Sequence, residues 1–382
     1  MESYLTAEIS AAAVRHNAGL LRGRIPPATE LCAVVKADCY GHGLTALLKV
    51  LSGLADRLGV TNPDEALALR QLGCEKPILM FFSPCAHADE GRLHDVLAEL
   101  IRRRVTLTIV AEPEVSAVGR VARRIGVEAV VHVKIDTGMG RSGVRPEWAP
   151  RLVARVRRER GLSLEGLYTH FATADEADKA FAREQLRRFL GAVEAAGGRK
   201  GLRLHAANSA ATIDLPETHL DMIRPGIALY GYAPSDQMLH RLPLRPALRL
   251  TGRLMQRKVL PAGSRCGYGL THVFPKDTPV GLVPVGYADG YVRSLSGRAT
   301  MRVRGQDVPV RGRISMDQVI IDLSDVPAAA VGDEVEILSN DPANPHSVES
   351  LARLAGTIPY EITCRLGDRA RRVLVDTNEE DA

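Results

Sequence analysis

From Leu31 onward, short apolar runs alternate with longer stretches whose apolar residues recur at helical spacing. The runs that read as strands are 31–37, 57–62, 77–83, 105–110, 128–136, 164–170, 203–208 and 223–230. Between them lie helices such as 63–72, which opens on Pro63 with Asp64 and Glu65 behind it and stops at Gly73. Ahead of the series, residues 4–9 form a candidate strand, and Ser10 caps a helix carrying Val14, Leu20 and Leu21. Eight such alternations predict an α/β fold, a closed (β/α)8 TIM-like barrel whose sites lie at the C-terminal ends of its strands. An open doubly wound sheet is the competing arrangement, but no GxGxxG follows an early strand.

The periodicity changes after residue 240, where Pro243 and Pro246 interrupt the chain. Beyond them β-like runs alternate with turns at 279–286, 299–304, 308–314, 318–323, 333–338 and 371–375, with one helix at 347–355. The expected organisation is a barrel domain over 1–240 and a mostly-β C-terminal domain over 241–382.

The first barrel run, LCAVV, ends in Lys36 and opens into ADCYGHG, a polar turn with Tyr40 and His42. A lysine at a strand mouth is held partly out of water, which lowers its pKa and frees the amine to attack a carbonyl. Alone, such a lysine is more commonly a snorkelling surface charge. Other strand ends shift the balance. The fifth supplies His132, Lys134 and Asp136, then TGMGRSG with Arg141; the sixth Tyr168 and His170; the seventh Asn208 and Ser209; the eighth Arg224, Pro225 and Gly226. The last two loops are the usual phosphate site of a barrel, where Ser209 and the amides near Gly226 and Ile227 would bind the anion without a cation. A phosphate site beside a strand-end lysine suggests pyridoxal phosphate (PLP), an aldehyde to capture and a phosphate to anchor.

Composition narrows the field. At 45% hydrophobic and 25% charged residues, the 382-residue chain is that of a two-domain globular protein. The net charge of +5 comes mainly from arginines on helical faces without interleaved aromatics, a solvated surface and not a nucleic-acid site. The six cysteines form no CxxC pair and no histidine stands at metal spacing, so a reduced, cytoplasmic protein without structural zinc is expected. The start MESYLTAEIS carries no apolar signal core, and no run is long enough to span a membrane.

VVKADCYGHG, VKIDTGMGR, EGLYTHFATADE, HAANSAA, RPGIALYG and GYG…SMDQ…TIPYEI follow one another in an order that resembles the alanine racemases, fold-type-III PLP enzymes, over essentially the whole chain. The resemblance implies that Lys36 anchors PLP and acts as one catalytic base, with Tyr268 as the other, reaching the opposite face of the substrate from the partner subunit of a head-to-tail homodimer. By the same resemblance Tyr40, Ser209, Gly226, Ile227 and Tyr360 hold the phosphate, Arg224 meets the pyridine nitrogen, His170 packs against the ring and Asn208 lies beside it. Arg141, Met316 and Asp317 match substrate-side positions, and Lys134 a lysine often carbamylated. Without the resemblance, His132 and His170 would read as core histidines, Tyr268 as a turn residue and Arg224 as a helix-end partner. Gly267 stands where a small polar residue is common, Pro359 where asparagine is usual and Ser315 for a frequent Cys, all around the substrate pocket. The expected activity is interconversion of L- and D-alanine for peptidoglycan. The alternatives are a same-fold racemase for serine or a larger, basic amino acid, a non-catalytic PLP carrier, and a decarboxylase.

Overall fold

The computed structural model describes residues 4–83 and 90–377; Cys85 lies outside them. Eight parallel strands close a barrel: β2 (Glu30–Val34), β3 (Arg57–Val60), β4 (Ile78–Met80), β5 (Val105–Ile109), β6 (Ala129–Lys134), β7 (Leu162–Tyr168), β8 (Arg203–His205) and β9 (Met222–Ile223). The ring closes where Glu30 and Leu31 pair with Met222 and Ile223. Strand residues such as Leu58, Leu79, Leu107 and Val131 are fully buried, which is why these segments read as unbroken apolar runs. Helix 63–72 is observed as Pro63–Gln71, its first turn capped by Asn62 Oδ1 on the Glu65 N–H at 3.0 Å.

The last barrel strand is shorter than 223–230. After Ile223 the chain leaves the sheet, because Pro225 has no N–H for the ladder, and Ile227–Tyr230 winds into a 3-10 turn. Likewise Lys36 lies beyond the end of β2, not within it.

The second domain is built on a nine-stranded sheet. Its order is Gln256–Leu260, Thr278–Val283, Val319–Asp322, Gln306–Arg311, Thr300–Val303, Glu334–Leu338, Leu248–Arg253, β1 (Leu5–Ser10) and Ala370–Val375. The N-terminal strand therefore belongs to this sheet, antiparallel to Leu248–Arg253 and parallel to Ala370–Val375. Ser10 ends that strand and caps Ala11–Arg22, accepting the Ala13 N–H at 3.0 Å, so the chain passes from one domain to the other within a residue.

Helix Pro359–Cys364 docks the second domain on the barrel mouth. A Cβ at Gly41, which has φ +82°, would stand 2.0 Å from the Thr363 carbonyl oxygen, so only glycine permits that approach. Arg372 fastens the same point, donating from Nη2 to the Gly41 oxygen at 3.1 Å and to the Leu366 oxygen at 2.7 Å.

Candidate active site

Lys36 opens a turn unlike ordinary helix. Ala37, Asp38, Cys39 and Tyr40 all have left-handed backbone, φ 51–56°. L-residues there cost about 1–2 kcal/mol each. Bonds hold the turn: Cys39 N–H donates to the Val35 oxygen at 3.0 Å, Ala37 N–H to Glu65 Oε1 at 2.8 Å, and Leu44 N–H to Asp38 Oδ1 at 2.6 Å. The turn buries Tyr40 beneath the mouth, its ring 5.2 Å from Tyr230 and 6.1 Å from Tyr360. Tyr360 thus carries the second domain into the barrel's site.

Ser209 and Gly226 meet from the ends of β8 and β9. Ser209 Oγ accepts the Gly226 N–H at 2.8 Å and the Ala228 N–H at 3.4 Å. A Cβ at Gly226 would lie 2.2 Å from the Tyr40 hydroxyl, so the niche exists because position 226 has no side chain. Ile227, the next residue, is buried, and burial pushes the Tyr40 hydroxyl well up, keeping it a donor. Asn208 directly precedes Ser209, and its Oδ1 accepts the Ala211 N–H at 3.0 Å and caps the following helix.

The cations converge on the other wall. Burial lowers the Lys36 amine below its ordinary range, and the Arg141 charge lowers it further. Lys134 is buried and pushed down to about 8, first by burial, then by Arg141 and Arg224. Arg141 is brought near by Asp136, whose carboxylate accepts the N–H groups of Gly138, Met139, Gly140 and Arg141 at 2.9–3.1 Å. His170 is driven well down by burial and by Arg224, and stays neutral. Its Nδ1 is 3.4 Å from Arg224 Nη2. Lys134, Asp136, Met139, Thr169 and His170 line a narrow crevice here.

The second domain's other candidates stay on the surface of the single chain. Tyr268 is 69% exposed in a turn flanked by Gly267 (φ +70°) and Gly269 (φ +73°). Met316 is exposed, with its carbonyl accepting the Ala288 N–H, and Asp317 pairs with Arg369 at 2.7 Å. One chain therefore assembles Lys36, Tyr40, Lys134, Arg141, His170, Ser209, Arg224, Gly226, Ile227 and Tyr360, and leaves Tyr268, Met316 and Asp317 facing outward. Sequence reasoning missed the interlock of Gly41, Thr363 and Arg372, and also Glu165. Gly41 and Gly43, both in positive φ at the docking point, were visible only as a Gly-rich turn.

A closed barrel with a desolvated lysine at its mouth, capped by a β domain that brings a tyrosine beside Tyr40, is the architecture of a two-domain barrel enzyme. The family model "Alanine racemase, N-terminal domain" matches residues 9–234, and "Alanine racemase, C-terminal domain" matches 247–374. An alanine racemase of Desulfovibrio desulfuricans is 44% identical over 97% of this chain and 98% of its own length. The structure of alanine racemase from D-cycloserine-producing Streptomyces lavendulae superposes with a TM-score of 0.91 at 36% identity, covering 100% of this chain and 99% of that one. That of Clostridium difficile gives 0.91 at 32% identity, covering 98% and 96%. The chain belongs to the alanine racemase family.

Proposed function

We propose that the chain interconverts L- and D-alanine with PLP, in the cytoplasm, to supply D-alanine for peptidoglycan. The observation that carries this reading is a partly buried Lys36 amine at a barrel mouth that also holds a buried Arg224, which no carboxylate pairs with among the described residues. The donor set suits the cofactor. The Tyr40 hydroxyl and the Ser209–Gly226 pair meet at Gly226, and with the Tyr360 hydroxyl and the Ile227 amide they would give a phosphate neutral donors. Arg224 is a permanent donor that a pyridine nitrogen can accept from. When bound, PLP supplies the aldehyde that captures an amine and the electron sink that acidifies the substrate's α-hydrogen.

The chain's own residues then divide the work. Lys36 holds the cofactor and moves a proton at Cα from one face; its lowered pKa keeps the free amine basic near neutrality. Tyr268 of the partner subunit moves the proton on the opposite face, which is why an exposed phenol is useful. Arg141 and Met316 receive the substrate's carboxylate side, with Asp317 beside them, and His170 packs on the ring. Arg224 would hold the pyridine nitrogen through a donated hydrogen bond and so disfavour its protonation, which would temper the sink and limit transamination. The barrel part of residues 1–240, from helix Ala11–Arg22 onward, is the PLP domain, and 241–382, joined in its sheet by strand Leu5–Ser10, is the domain that lends Tyr268 across a head-to-tail homodimer. Lys134, next to Arg141, is carbamylated, since an anion there removes the repulsion of two cations.

Relative kcat/KM over a panel of L-amino acids, with absorbance of the bound cofactor, tests this. Alanine is expected first, with a visible band absent in Lys36→Ala. Serine or lysine ahead of alanine, or a band surviving in Lys36→Ala, would refute it.

A further inference from the structure

Barrel interiors are usually filled by branched apolar side chains. This one carries a polar column from mouth to floor. Arg224 Nη1 reaches His205 Nδ1 at 2.7 Å, while Nη2 donates to the oxygens of Thr169 at 2.8 Å and Ala206 at 3.1 Å. His205 Nε2 lies 2.8 Å from His132 Nδ1, and His132 Nε2 lies 2.8 Å from Glu165 Oε2. On the floor, Glu165 Oε1 accepts from Arg57 Nη2 and Arg203 Nη1, both at 2.9 Å. Arg57 and Arg203 are the first residues of β3 and β8, so they mark the end opposite Lys36.

The two ends are chemically one-way. A guanidinium only donates and a carboxylate only accepts. Burial favours the protonated Glu165, but the hydrogen bonds from His132 and Arg57 outweigh it and hold the carboxyl down at about 2. Both imidazoles are fully buried and kept neutral by that burial. One arrangement then satisfies every atom: His132 Nε2–H donates to Glu165, His205 Nε2–H donates to His132 Nδ1, and the bare His205 Nδ1 accepts from Arg224. Tyr168 stacks flat on His205, centroids 4.6 Å apart at 8°, and fixes the plane in which that lone pair points.

We propose that Glu165 and His132 are positioning residues for Arg224: from the barrel floor they dictate the tautomer of His205, and so keep Arg224 aimed at the cofactor ring. The ring contact rests on the PLP reading above; the tautomers do not. Glu165→Gln shows why. With one oxygen left, the amide either keeps both arginines or keeps His132, and two charge-assisted bonds outweigh one. The NH2 group then faces His132, which must turn its proton to Nδ1. His205 follows and presents Nδ1–H to Arg224, donor against donor.

The test is 15N NMR of the histidine ring nitrogens in the full chain, with and without PLP, alongside the PLP dissociation constant. The unaltered protein is expected to show His132 and His205 as neutral Nε2–H tautomers; any other state overturns the proposal, whether or not the variant folds. Glu165→Gln is expected to move His205 to Nδ1–H and weaken PLP binding about tenfold. Glu30→Gln, which removes the charge of the floor carboxylate 2.8 Å from Arg203 Nε but spares His132, is expected to keep both tautomers and affinity. A Glu165→Gln protein with unchanged tautomers, or with switched tautomers and unchanged PLP affinity, overturns it. If the unaltered protein fails to bind PLP, the cofactor reading falls, and the spectra without PLP still decide the column.

Discussion

Gly226→Ala isolates the phosphate niche. The added carbon would sit 2.2 Å from the Tyr40 hydroxyl and 2.7 Å from its Cζ, where ordinary contact begins at 3.4 Å. Roughly 1 Å must therefore be recovered by movement. Tyr40 has little room to withdraw, since its backbone is locked in the left-handed turn and its ring lies against Tyr230, whose hydroxyl donates to the Val34 oxygen at 2.9 Å. Gly226 is tied by its N–H to Ser209 at 2.8 Å. Overpacking of this kind costs about 1–3 kcal/mol, and a displaced Tyr40 forfeits a charge-assisted bond to phosphate of about 1.5–3 kcal/mol. At about 1.4 kcal/mol per decade, the lost bond predicts PLP binding weaker by roughly ten- to a hundredfold. Titration of the PLP-free protein, followed by absorbance and equilibrium dialysis, reads this directly. Gly53→Ala serves as control: nothing lies within 4 Å of its Cβ, it sits in helix Leu44–Leu54, and its affinity should be unchanged. Unaltered PLP affinity in Gly226→Ala would refute the assignment of the phosphate to this niche.

Arg141→Gln removes a cation that depresses the Lys36 pKa, so that pKa should rise, though less than if burial were relieved. PLP reconstitution needs the neutral amine; its fall with decreasing pH should begin at a higher pH in the variant, and a superimposable profile would count against the coupling. Lys134 titrates at about 8 against an ordinary 10.5, so the unfolded chain binds the extra proton and folding is penalised in full below about pH 8, the penalty fading as pH rises toward 10.5. Carbamylation removes it: bicarbonate should raise the melting temperature of CO2-depleted protein at pH 7 and leave Lys134→Met unmoved. Mixing Lys36→Ala with Tyr268→Phe, each inactive alone, should restore activity as subunits exchange, because one site of the mixed dimer keeps both bases; no recovery after demonstrated exchange would exclude a shared site.

Much of the barrel was legible because parallel strands buried on both faces leave continuous apolar runs, and all eight were located. Boundaries slipped where polar chemistry begins. Lys36 reads as the end of its strand, yet it starts a left-handed turn held partly by Glu65, a residue 28 positions beyond the Ala37 whose N–H it accepts. The strand Gln256–Leu260 went unread since its first four residues are exposed and show no apolar alternation. Glu165 carries no local signal either; its importance lies in partners on three other strands.

The sequence alone determined the order of elements, the change from barrel to β domain and the identity of the polar strand ends, because those depend on periodicity and residue type within a short window. Tertiary structure decided which ends meet. It placed the N-terminal strand in the second domain's sheet, made Asn208 the cap of the helix that Ser209 opens, and closed the glycine-only contacts at Gly41 and Gly226. It also linked Arg224 to Glu165 through two histidines. Close approach and hydrogen-bond direction depend on atoms far apart along the chain, and no window of sequence contains both partners.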